Sequence, residues 1–540
     1  EKIKSEAKNK KMKKSLSVWM AMLIAFGTGA SLAGCGSQNS VPYDPDNFIE
    51  DVTNPQIVKE PVTITFYVPK HSLHVDYEDM RVFKEVSAIT NINMKFEQAD
   101  WEAYAEIRSL RWEDDSSLPD AFMFCNNLDE QVQYSSLGQL APIDDLIDQY
   151  CPNYKALMEK YPEIEQVSRL TDGNIYSFTT VNTVPNTCYQ YINAKWLEDL
   201  GLSMPTTVEE FRDVLAAFKE GDPNHNGVAD EIPLCSKFNY SSLFILSAFG
   251  HVTKSVEITD DSDFIFVPQE YRAYLRYAKD LYDSKLMNQN LYEITDGDVS
   301  NFGQQNMVGC SEGVAAYLLA GDDLADQFVS IPPLTSDYSP VVNGEKQRVH
   351  VGFSKFDPTA LIITANTPYK REIARLIDFF YSEEGVRLFL TGKEGVDWEW
   401  TDEEHTSWKS TYPEDIDSET YRGSITPNVG LGASFYKSEE WMYKQENELA
   451  QTLREDCSVY VPYLKEALPG LVFTTEESEE LTFIKLAADS YVQSAEADFI
   501  TGRKSIEDDW TAFQNKLKQL QVDKMLEIYR EAYARSTAKS

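Results

Sequence analysis

Val62-Thr63-Ile64-Thr65-Phe66-Tyr67-Val68 is a run of β-branched and aromatic residues, the composition of a buried strand. The chain then alternates. The pattern predicts a helix over 77–86, a strand over 92–96, a helix over 104–110 and a strand over 121–124. Because strands that alternate with helices favour a parallel sheet with crossover helices, the predicted fold class is α/β.

The length and net charge of the chain limit which classes of protein it can belong to. Its 540 residues exceed what one hydrophobic core supports, which predicts two lobes or more. The formal net charge of −39 repels phosphate backbones, so we expect no nucleic-acid partner. With 42% hydrophobic and 12% aromatic residues, the composition is that of a folded chain and not of a disordered one.

A secretory leader is predicted over 1–34. Closely spaced lysines precede an uncharged run over 16–30, and small residues lead to Leu32-Ala33-Gly34-Cys35. This tetrapeptide resembles the bacterial lipoprotein box, which implies that Cys35 is lipidated and anchors the chain to the extracellular face of the cell membrane. A short transmembrane anchor is the alternative, but the run is shorter than the ~20 residues that a spanning helix needs. We expect translation to start at Met12, and a flexible tether over 35–57.

One loop has the pattern of a metal site, Asp222-Pro223-Asn224-His225-Asn226-Gly227-Val228-Ala229-Asp230-Glu231. Oxygen side chains at loop positions 1, 3, 5 and 9 and a glycine at position 6 follow the order in which an EF-hand loop binds Ca²⁺. Pro233 replaces the glutamate of position 12, and we expect Glu231 to supply that carboxylate instead. An Asx-rich surface turn that binds no metal is the alternative. The predicted ligands are Asp222, Asn224, Asn226, Val228 (through its carbonyl), Asp230 and Glu231.

The order of motifs resembles the extracellular solute-binding proteins of ABC importers, family 1, the maltose-binding type. The resemblance covers about residues 60 to 400. The segment 395–398 and the chain length are similar to the large lipoprotein branch of Gram-positive bacteria. The segments that carry the family resemblance are, in chain order, 118–124, 137–142, 172–176, 191–195, 205–210, 302–309, 328–333, 359–365 and 371–385.

This resemblance implies a periplasmic-binding-protein-like fold of type II, in which two α/β lobes close on a ligand about a hinge. The chain would cross between lobes near residues 182, 306 and 366. Lobe 1 would comprise 58–182 and 306–366, and lobe 2 would comprise 183–305 and 367–540, with extra C-terminal helices. Alginate-binding members of the family are similar in the 222–231 loop, which implies a structural role for its Ca²⁺.

A sugar ligand would need aromatic platforms and hydrogen-bonding side chains in the cleft, because a sugar presents apolar C–H faces and a rim of hydroxyls. Core packing is the alternative for each aromatic residue. From loops that the resemblance places at the cleft, the predicted ligand-binding residues are Trp101, Asn126, Asn127, Tyr189, Tyr317, Phe353, Trp398 and Trp400.

Together, these observations predict a lipid-anchored, monomeric binding protein that delivers an oligosaccharide to the membrane permease of an ABC importer, without catalysis. A peptide is the alternative cargo. The sequence contains no Walker A loop and no G-x-G-x-x-G motif. A secreted glycoside hydrolase or lyase and a surface scaffold lipoprotein are the alternative functions. The six cysteines besides Cys35 are scattered, so their spacing shows no zinc-site pattern. Disulfides are possible outside the membrane, but the spacing does not tell which cysteines would pair.

Overall fold

The computed structural model describes residues 42–537, except residues 126, 186, 188, 239, 322 and 414. Six strands form one sheet, in the order β17-β4-β14-β3-β1-β2, and four form a second, in the order β10-β5-β9-β6. The other strands pair as two-stranded ribbons. In chain order the strands are β1 Val62–Lys70, β2 Ile92–Asp100, β3 Ala121–Met123, β4 Ser177–Asn182, β5 Tyr189–Asn193, β6 Ile232–Leu234, β7 Val256–Ile258, β8 Phe264–Phe266, β9 Val308–Gly313, β10 Phe328–Ser330, β11 Val341–Val342, β12 Glu345–Lys346, β13 His350–Val351, β14 Phe356–Ile363, β15 Trp398–Trp400, β16 Trp408–Ser410, β17 Tyr436–Lys437 and β18 Leu464–Lys465.

The helices connect the strands and form the C-terminal part of the chain. Within the described residues, none is long and apolar enough to cross a membrane. In chain order the α-helices are α1 Arg81–Thr90, α2 Tyr104–Arg111, α3 Leu128–Ser136, α4 Asp144–Tyr150, α5 Pro152–Lys160, α6 Glu163–Ser168, α7 Ala194–Asp199, α8 Val208–Gly221, α9 Tyr240–Ser247, α10 Gln269–Asp283, α11 Asp296–Gln304, α12 Ala316–Ala320, α13 Lys370–Phe379, α14 Glu383–Thr391, α15 Ser418–Gly423, α16 Asn428–Leu431, α17 Glu439–Met442, α18 Glu448–Ser458, α19 Thr475–Ile500, α20 Trp510–Gln519 and α21 Val522–Thr537.

Lobe 1 is the six-stranded sheet with the helices on its two faces, and β1 lies next to the edge strand β2. β1 pairs in parallel with β2 on one side and with β3 on the other. Alternate residues of β1 enter different cores: Phe66 packs on one face of the sheet and Tyr67 on the other. Because both faces are covered, the strand is apolar throughout its middle and does not alternate with polar residues.

Lobe 2 is the four-stranded sheet with its own core. β9 pairs antiparallel with β5 and parallel with β6, and β10 pairs antiparallel with β5. The long helix α19 packs into this core through Leu481, Ile484, Ala488 and Val492, spaced three or four residues apart on one helix face. Both lobes belong to one structural unit, Asn47–Ser540.

Two segments belong to a different lobe from the one that the sequence analysis assigned to them. The sequence places 306–330 in lobe 1, but β9 and β10 pair with β5 in lobe 2. It places 370–391 in lobe 2, but α13 and α14 pack into the lobe 1 core through Ile373, Leu376 and Phe389. An apolar strand or helix face predicts that the element is buried, but it does not predict in which of the two hydrophobic cores the element packs.

Asp378 is a buried carboxylate on α13 that fixes the start of a neighbouring helix. Its two oxygens accept hydrogen bonds from the Tyr154 backbone N–H (2.8 Å) and the Asn153 side chain (2.7 Å) of α5. Burial raises the pKa of Asp378 to about 6, although these hydrogen bonds and Arg375 favour the charged form.

Replacing Asp378 with asparagine is expected to change how stability depends on pH. The pKa of Asp378 is higher in the folded protein than its ordinary 3.8, so between about pH 6 and 4 the folded state binds a proton that the unfolded state does not. The unfolding free energy of the unaltered protein should therefore rise by about 1–3 kcal/mol relative to Asp378→Asn as the pH falls from 7 to 4. Chemical denaturation of both proteins across this range measures the difference, and a difference independent of pH would contradict the account.

Candidate functional site

The carboxyl ends of five strands meet at one edge of the lobe 1 sheet. β1, β2 and β3 are parallel to one another. β14 is antiparallel to both β3 and β4, and β17 is parallel to β4. All the strands except β14 therefore point the same way, and we call the edge where they end the cleft edge of lobe 1. Trp101 follows β2 at this edge, and residues 124–127 follow β3.

The sheet of lobe 2 also has an edge at which the carboxyl ends of several strands meet. The chain leaves the cleft edge of lobe 1 after β4 and enters lobe 2 at Tyr189, the first residue of β5. Because β9 and β10 are antiparallel to β5, and β6 is parallel to β9, the carboxyl ends of β6, β9 and β10 lie at the same edge as Tyr189. Ligands of open α/β sheets bind outside such carboxyl ends.

The chain passes between the two sheets three times: from β4 to β5, from β10 to β14, and from β17 to α18. The first crossing lies at the predicted residue 182, whereas the other two differ from the predicted 306 and 366. All three begin or end at the cleft edge of lobe 1. This arrangement makes the three segments the hinge of the molecule.

Two side chains after the third crossing fix the hinge to lobe 2. The Asp456 carboxylate accepts hydrogen bonds from the hydroxyls of Tyr191 and Ser330, both at 2.9 Å. The Tyr460 hydroxyl donates to the Ile331 carbonyl (2.8 Å) and accepts from the Gln190 N–H (3.0 Å). The polypeptide on the lobe 2 side is thus held at β5 and β10, where the other two crossings start or end.

Trp101 is the predicted ligand residue that most resembles a sugar platform. Its side chain is 43% exposed, and its ring stacks on Tyr104 with the ring centres 4.9 Å apart. Its backbone N–H donates to the Lys70 carbonyl at the end of β1, which fixes the residue at the cleft edge. The ring is supported by Tyr104 and remains accessible, so it can offer a flat apolar surface to a ligand.

The other predicted residues at the cleft edges differ in exposure. Asn127 is exposed, but its side-chain oxygen accepts from the Glu130 N–H (2.8 Å) and caps α3, which leaves its amide group for a ligand. Phe353, just before β14, is 42% exposed. Tyr317, near the start of α12, is half-buried. Asn126 lies outside the described residues.

Tyr189 borders a cavity of about 310 Å³ at the hinge. The cavity is also lined by Val314 after β9 and by Lys437, Tyr443 and Arg454 from the last third of the chain. Burial raises the pKa of the Tyr189 hydroxyl, and burial lowers the pKa of the Lys437 ammonium. Polar groups from both lobes therefore line the cavity between the hinge segments.

The 222–231 loop connects α8 to β6 and brings its polar side chains together. The Asp230 carboxylate accepts from the side-chain amides of Asn224 (3.2 Å) and Asn226 (3.1 Å). The Asp222 carboxylate accepts from the Gly227 N–H (3.1 Å), and Gly227 has a positive φ of 72°. The glycine at loop position 6 is therefore required by the backbone, because residues with side chains rarely adopt this conformation.

Glu231 gives this loop an electrostatic reason to bind a cation. Its Oε1 is buried and has no hydrogen-bond partner among the described residues. Burial raises its pKa, and the Asp230 and Asp222 carboxylates raise it further. No group of three or more His, Cys, Asp or Glu side chains in the described part of the chain has the geometry of a metal site. The candidate donor set instead mixes carboxylates with asparagine oxygens and a backbone carbonyl, as Ca²⁺ sites do.

Comparison with known proteins supports the family resemblance that the sequence motifs indicated. The fructooligosaccharide ABC transporter substrate-binding protein FusA of Streptococcus pneumoniae is 25% identical over 559 aligned residues, which cover 93% of this chain and 95% of FusA. No family model matches the chain. The chain is a relative of the substrate-binding proteins of ABC transporters.

Solved structures of substrate-binding proteins share the fold. FusA in complex with kestose gives a TM-score of 0.73 at 21% identity, over 89% of this chain and 100% of that one. An HMO-binding solute-binding protein from Bifidobacterium longum infantis gives 0.75 at 19% identity, over 88% and 99%. Another FusA structure is described as an EF-hand mutant in complex with fructo-nystose. The predicted family relationship and the two-lobed α/β fold are confirmed.

Two predicted ligand residues, Trp398 and Trp400, pack in an aromatic cluster with Trp408 and Trp441. Trp398 is 2% exposed, its indole N–H donates to the Gly392 carbonyl (3.0 Å), and its ring packs edge-on against Trp441 at 4.9 Å. The whole side chain is used in packing, which argues against the predicted contact of Trp398 with ligand. Trp400 is half-buried and stacks on His405 with ring centres 4.5 Å apart. Both belong to β15, which pairs only with β16 among the described strands.

The sequence analysis missed the contribution of the third crossing to the site. Lys437, Tyr443 and Arg454 line the hinge cavity, and the Arg454 guanidinium lies 5.8 Å from the centre of the Tyr443 ring. Tyr443 is 41% exposed. The aromatic pair Trp441 and Tyr443 was the sequence signal that could have indicated a binding site in this region. The segment reaches the cleft only because β17 pairs with β4. The predicted lipidation site, Cys35, lies outside the described residues.

Proposed function

We propose that this chain is a lipid-anchored extracellular solute-binding protein that delivers an oligosaccharide to an ABC importer by closing about its hinge. The observation that carries the proposal is the arrangement of two sheets whose carboxyl edges meet at three crossings. An exposed tryptophan, Trp101, stands at that edge. The name of FusA, a fructooligosaccharide-binding protein, supports a sugar as the cargo.

The remaining partners follow from this role. Cys35 carries the lipid that holds the protein on the membrane, and the closed form docks on the permease as a monomer. The protein binds its cargo and does not cleave it. The ligand-binding residues are Trp101, Asn126, Asn127, Tyr189, Tyr317 and Phe353, with Tyr443 and Arg454 from the third crossing.

Thermal melting against a panel of oligosaccharides, with Ca²⁺ present, tests the proposal. The panel contains fructooligosaccharides, glucans, galactans and short peptides of similar mass. A ligand at about a hundred times its Kd stabilises the folded state by ~2.7 kcal/mol, which is easily measured. We expect one sugar class to raise the melting temperature and chromatography to recover that sugar intact. Cleavage products would favour a hydrolase or lyase. A shift with peptides alone would overturn the sugar assignment, and no shift would favour a scaffold.

Ca²⁺ in the 222–231 loop is proposed as a structural cofactor. Asp222, Asn224, Asn226, Asp230 and Glu231 would supply side-chain oxygens, and Val228 its carbonyl. The ion would offset two of the three negative charges of the carboxylates and fix the connection from α8 to β6. The description of a FusA variant as an EF-hand mutant supports such a loop in a relative.

Replacing Asp222 and Asp230 with alanine is expected to remove the stabilisation by Ca²⁺. In millimolar Ca²⁺ the double variant should melt several degrees below the unaltered protein, because the bound ion contributes ~2.7 kcal/mol at a hundredfold excess over its Kd. In chelator the two proteins should melt together. Asp260→Ala with Asp261→Ala, an exposed acidic pair elsewhere in lobe 2, is the matched control. Equal destabilisation with and without Ca²⁺ would rule out the metal.

A further inference from the structure

Two charged side chains lie close to Tyr104, the ring that supports Trp101. Arg108 of α2 is 5% exposed, and its Nη2 donates to the Oε1 of Glu130 of α3 at 2.7 Å. The Arg108 Nε and the Glu130 Oε2 are buried and have no hydrogen-bond partner among the described residues. Because the desolvation of two charges offsets most of what such an ion pair contributes, stability alone does not account for its presence.

The Arg108 guanidinium is one end of a row of three groups in contact that leads to the cleft edge. It lies over the Tyr104 ring, 5.5 Å from the ring centre. The Tyr104 ring stacks in turn on that of Trp101, with the ring planes inclined by 21°. Trp101 comes three residues before Tyr104 and Arg108 four residues after it, so the two approach the ring from opposite ends of the helical turn. The cation–π contact thus restrains the ring on which Trp101 rests.

Glu130 connects this row to a second proposed ligand residue. Its backbone N–H donates to the Asn127 side-chain oxygen at 2.8 Å in the first turn of α3, while its carboxylate binds Arg108 of α2. Further along the same two helices, Trp112 stacks on Tyr134 with the ring centres 4.3 Å apart. The ion pair therefore lies between this stack and the cleft edge, where both helices begin.

We propose that Arg108 and Glu130 are positioning residues, which fix the orientation of the Trp101 ring relative to Asn127 for a sugar in the cleft. Neither side chain touches the ligand. Without the guanidinium, the Tyr104 ring loses its cation–π contact and Trp101 loses a fixed support. The consequence for sugar binding rests on the proposed function, whereas the orientation of Trp101 is a property of the free protein.

Fluorine NMR of the full chain labelled with 5-fluorotryptophan tests the positioning without a ligand. The Trp101 resonance is the one that disappears in Trp101→Phe. Arg108→Met with Glu130→Met removes both charges and leaves no buried charge unpaired, so we expect this double variant to remain folded. Its Trp101 resonance should move towards that of the unfolded chain. An unchanged resonance in the folded double variant would overturn the proposal.

Calorimetry with the sugar found in the melting panel tests the consequence for binding. We expect the double variant to bind about tenfold more weakly, the loss of a partly desolvated cation–π contact. Arg108→Lys, which keeps the positive charge, should bind more tightly than the double variant. Arg212→Met with Asp280→Met, an ion pair between α8 and α10 of lobe 2, is the matched control and should bind normally. Normal binding by the Arg108 and Glu130 double variant, or an equal loss in the control, would contradict the positioning role.

Tyr104→Leu is the second variant, for use if melting shows that the double variant is unfolded. It removes the ring between Arg108 and Trp101 but keeps the ion pair, so the Trp101 resonance should move and the affinity should fall. If neither changes, the proposal is wrong. If the unaltered protein binds no sugar, the proposed function fails, and the Trp101 resonance still decides the positioning.

Discussion

Trp398→Ala is expected to destabilise the protein by about 3–5 kcal/mol, the usual cost of removing a large buried aromatic side chain. The side chain is 2% exposed and packs against Trp408 and Trp441, with ring centres 6.1 and 4.9 Å away. Alanine would leave a cavity among these rings and leave the Gly392 carbonyl without its indole donor. Urea denaturation followed by circular dichroism measures the loss.

The same variant should keep its affinity for sugar under conditions where it is folded, because the Trp398 side chain is buried in a cluster with Trp408 and Trp441. This outcome distinguishes a packing role from the ligand contact that the sequence predicted. A variant of normal stability that no longer binds sugar would show that Trp398 is a ligand residue after all.

Trp101→Ala is expected to have the opposite effect: the affinity for the oligosaccharide should fall about 10- to 100-fold, with little change in stability. The ring is 43% exposed, so its removal leaves no cavity in a core. The loss of affinity corresponds to about 1.4–2.8 kcal/mol, in the range expected for an aromatic platform at the centre of a site. Isothermal titration calorimetry with the sugar found in the melting panel measures it.

Leu137→Ala provides the matched control for Trp101→Ala. Leu137 is 65% exposed and follows α3, which runs from the cleft edge towards the opposite edge of the sheet. It should bind sugar normally. Unchanged affinity in Trp101→Ala, or an equal loss in Leu137→Ala, would remove Trp101 from the site.

The features that the sequence predicted well are local in the chain. The apolar run at Val62 is a buried parallel strand, as predicted. The polar side chains of the 222–231 loop converge on Asp230, since all the residues involved lie within one turn-rich segment. Such features depend on neighbours a few residues apart, which the sequence displays directly.

The features that the sequence analysis missed depend on pairing between strands that are far apart in the chain. The sequence analysis assigned the segment from residue 306 to lobe 1, but the pairing of β9 with Tyr191 and Ile192 of β5 shows that this strand belongs to lobe 2. Trp101 and Trp398 have similar polar neighbours in the sequence, yet one is exposed at a strand end and the other is enclosed by three tryptophans. The sequence could not rank them, because burial is set by the surrounding elements.

The central claim is that the two lobes close on a sugar, and small-angle X-ray scattering with and without the oligosaccharide tests it most directly. We expect the protein to sample open and closed states in solution, and a ligand that contacts both lobes to favour the closed one. We expect the radius of gyration to fall when the sugar is added, and Trp101→Ala to need about 10- to 100-fold more sugar for the same change. A radius of gyration that stays constant at saturating sugar, with binding shown by calorimetry, would contradict the hinged receptor.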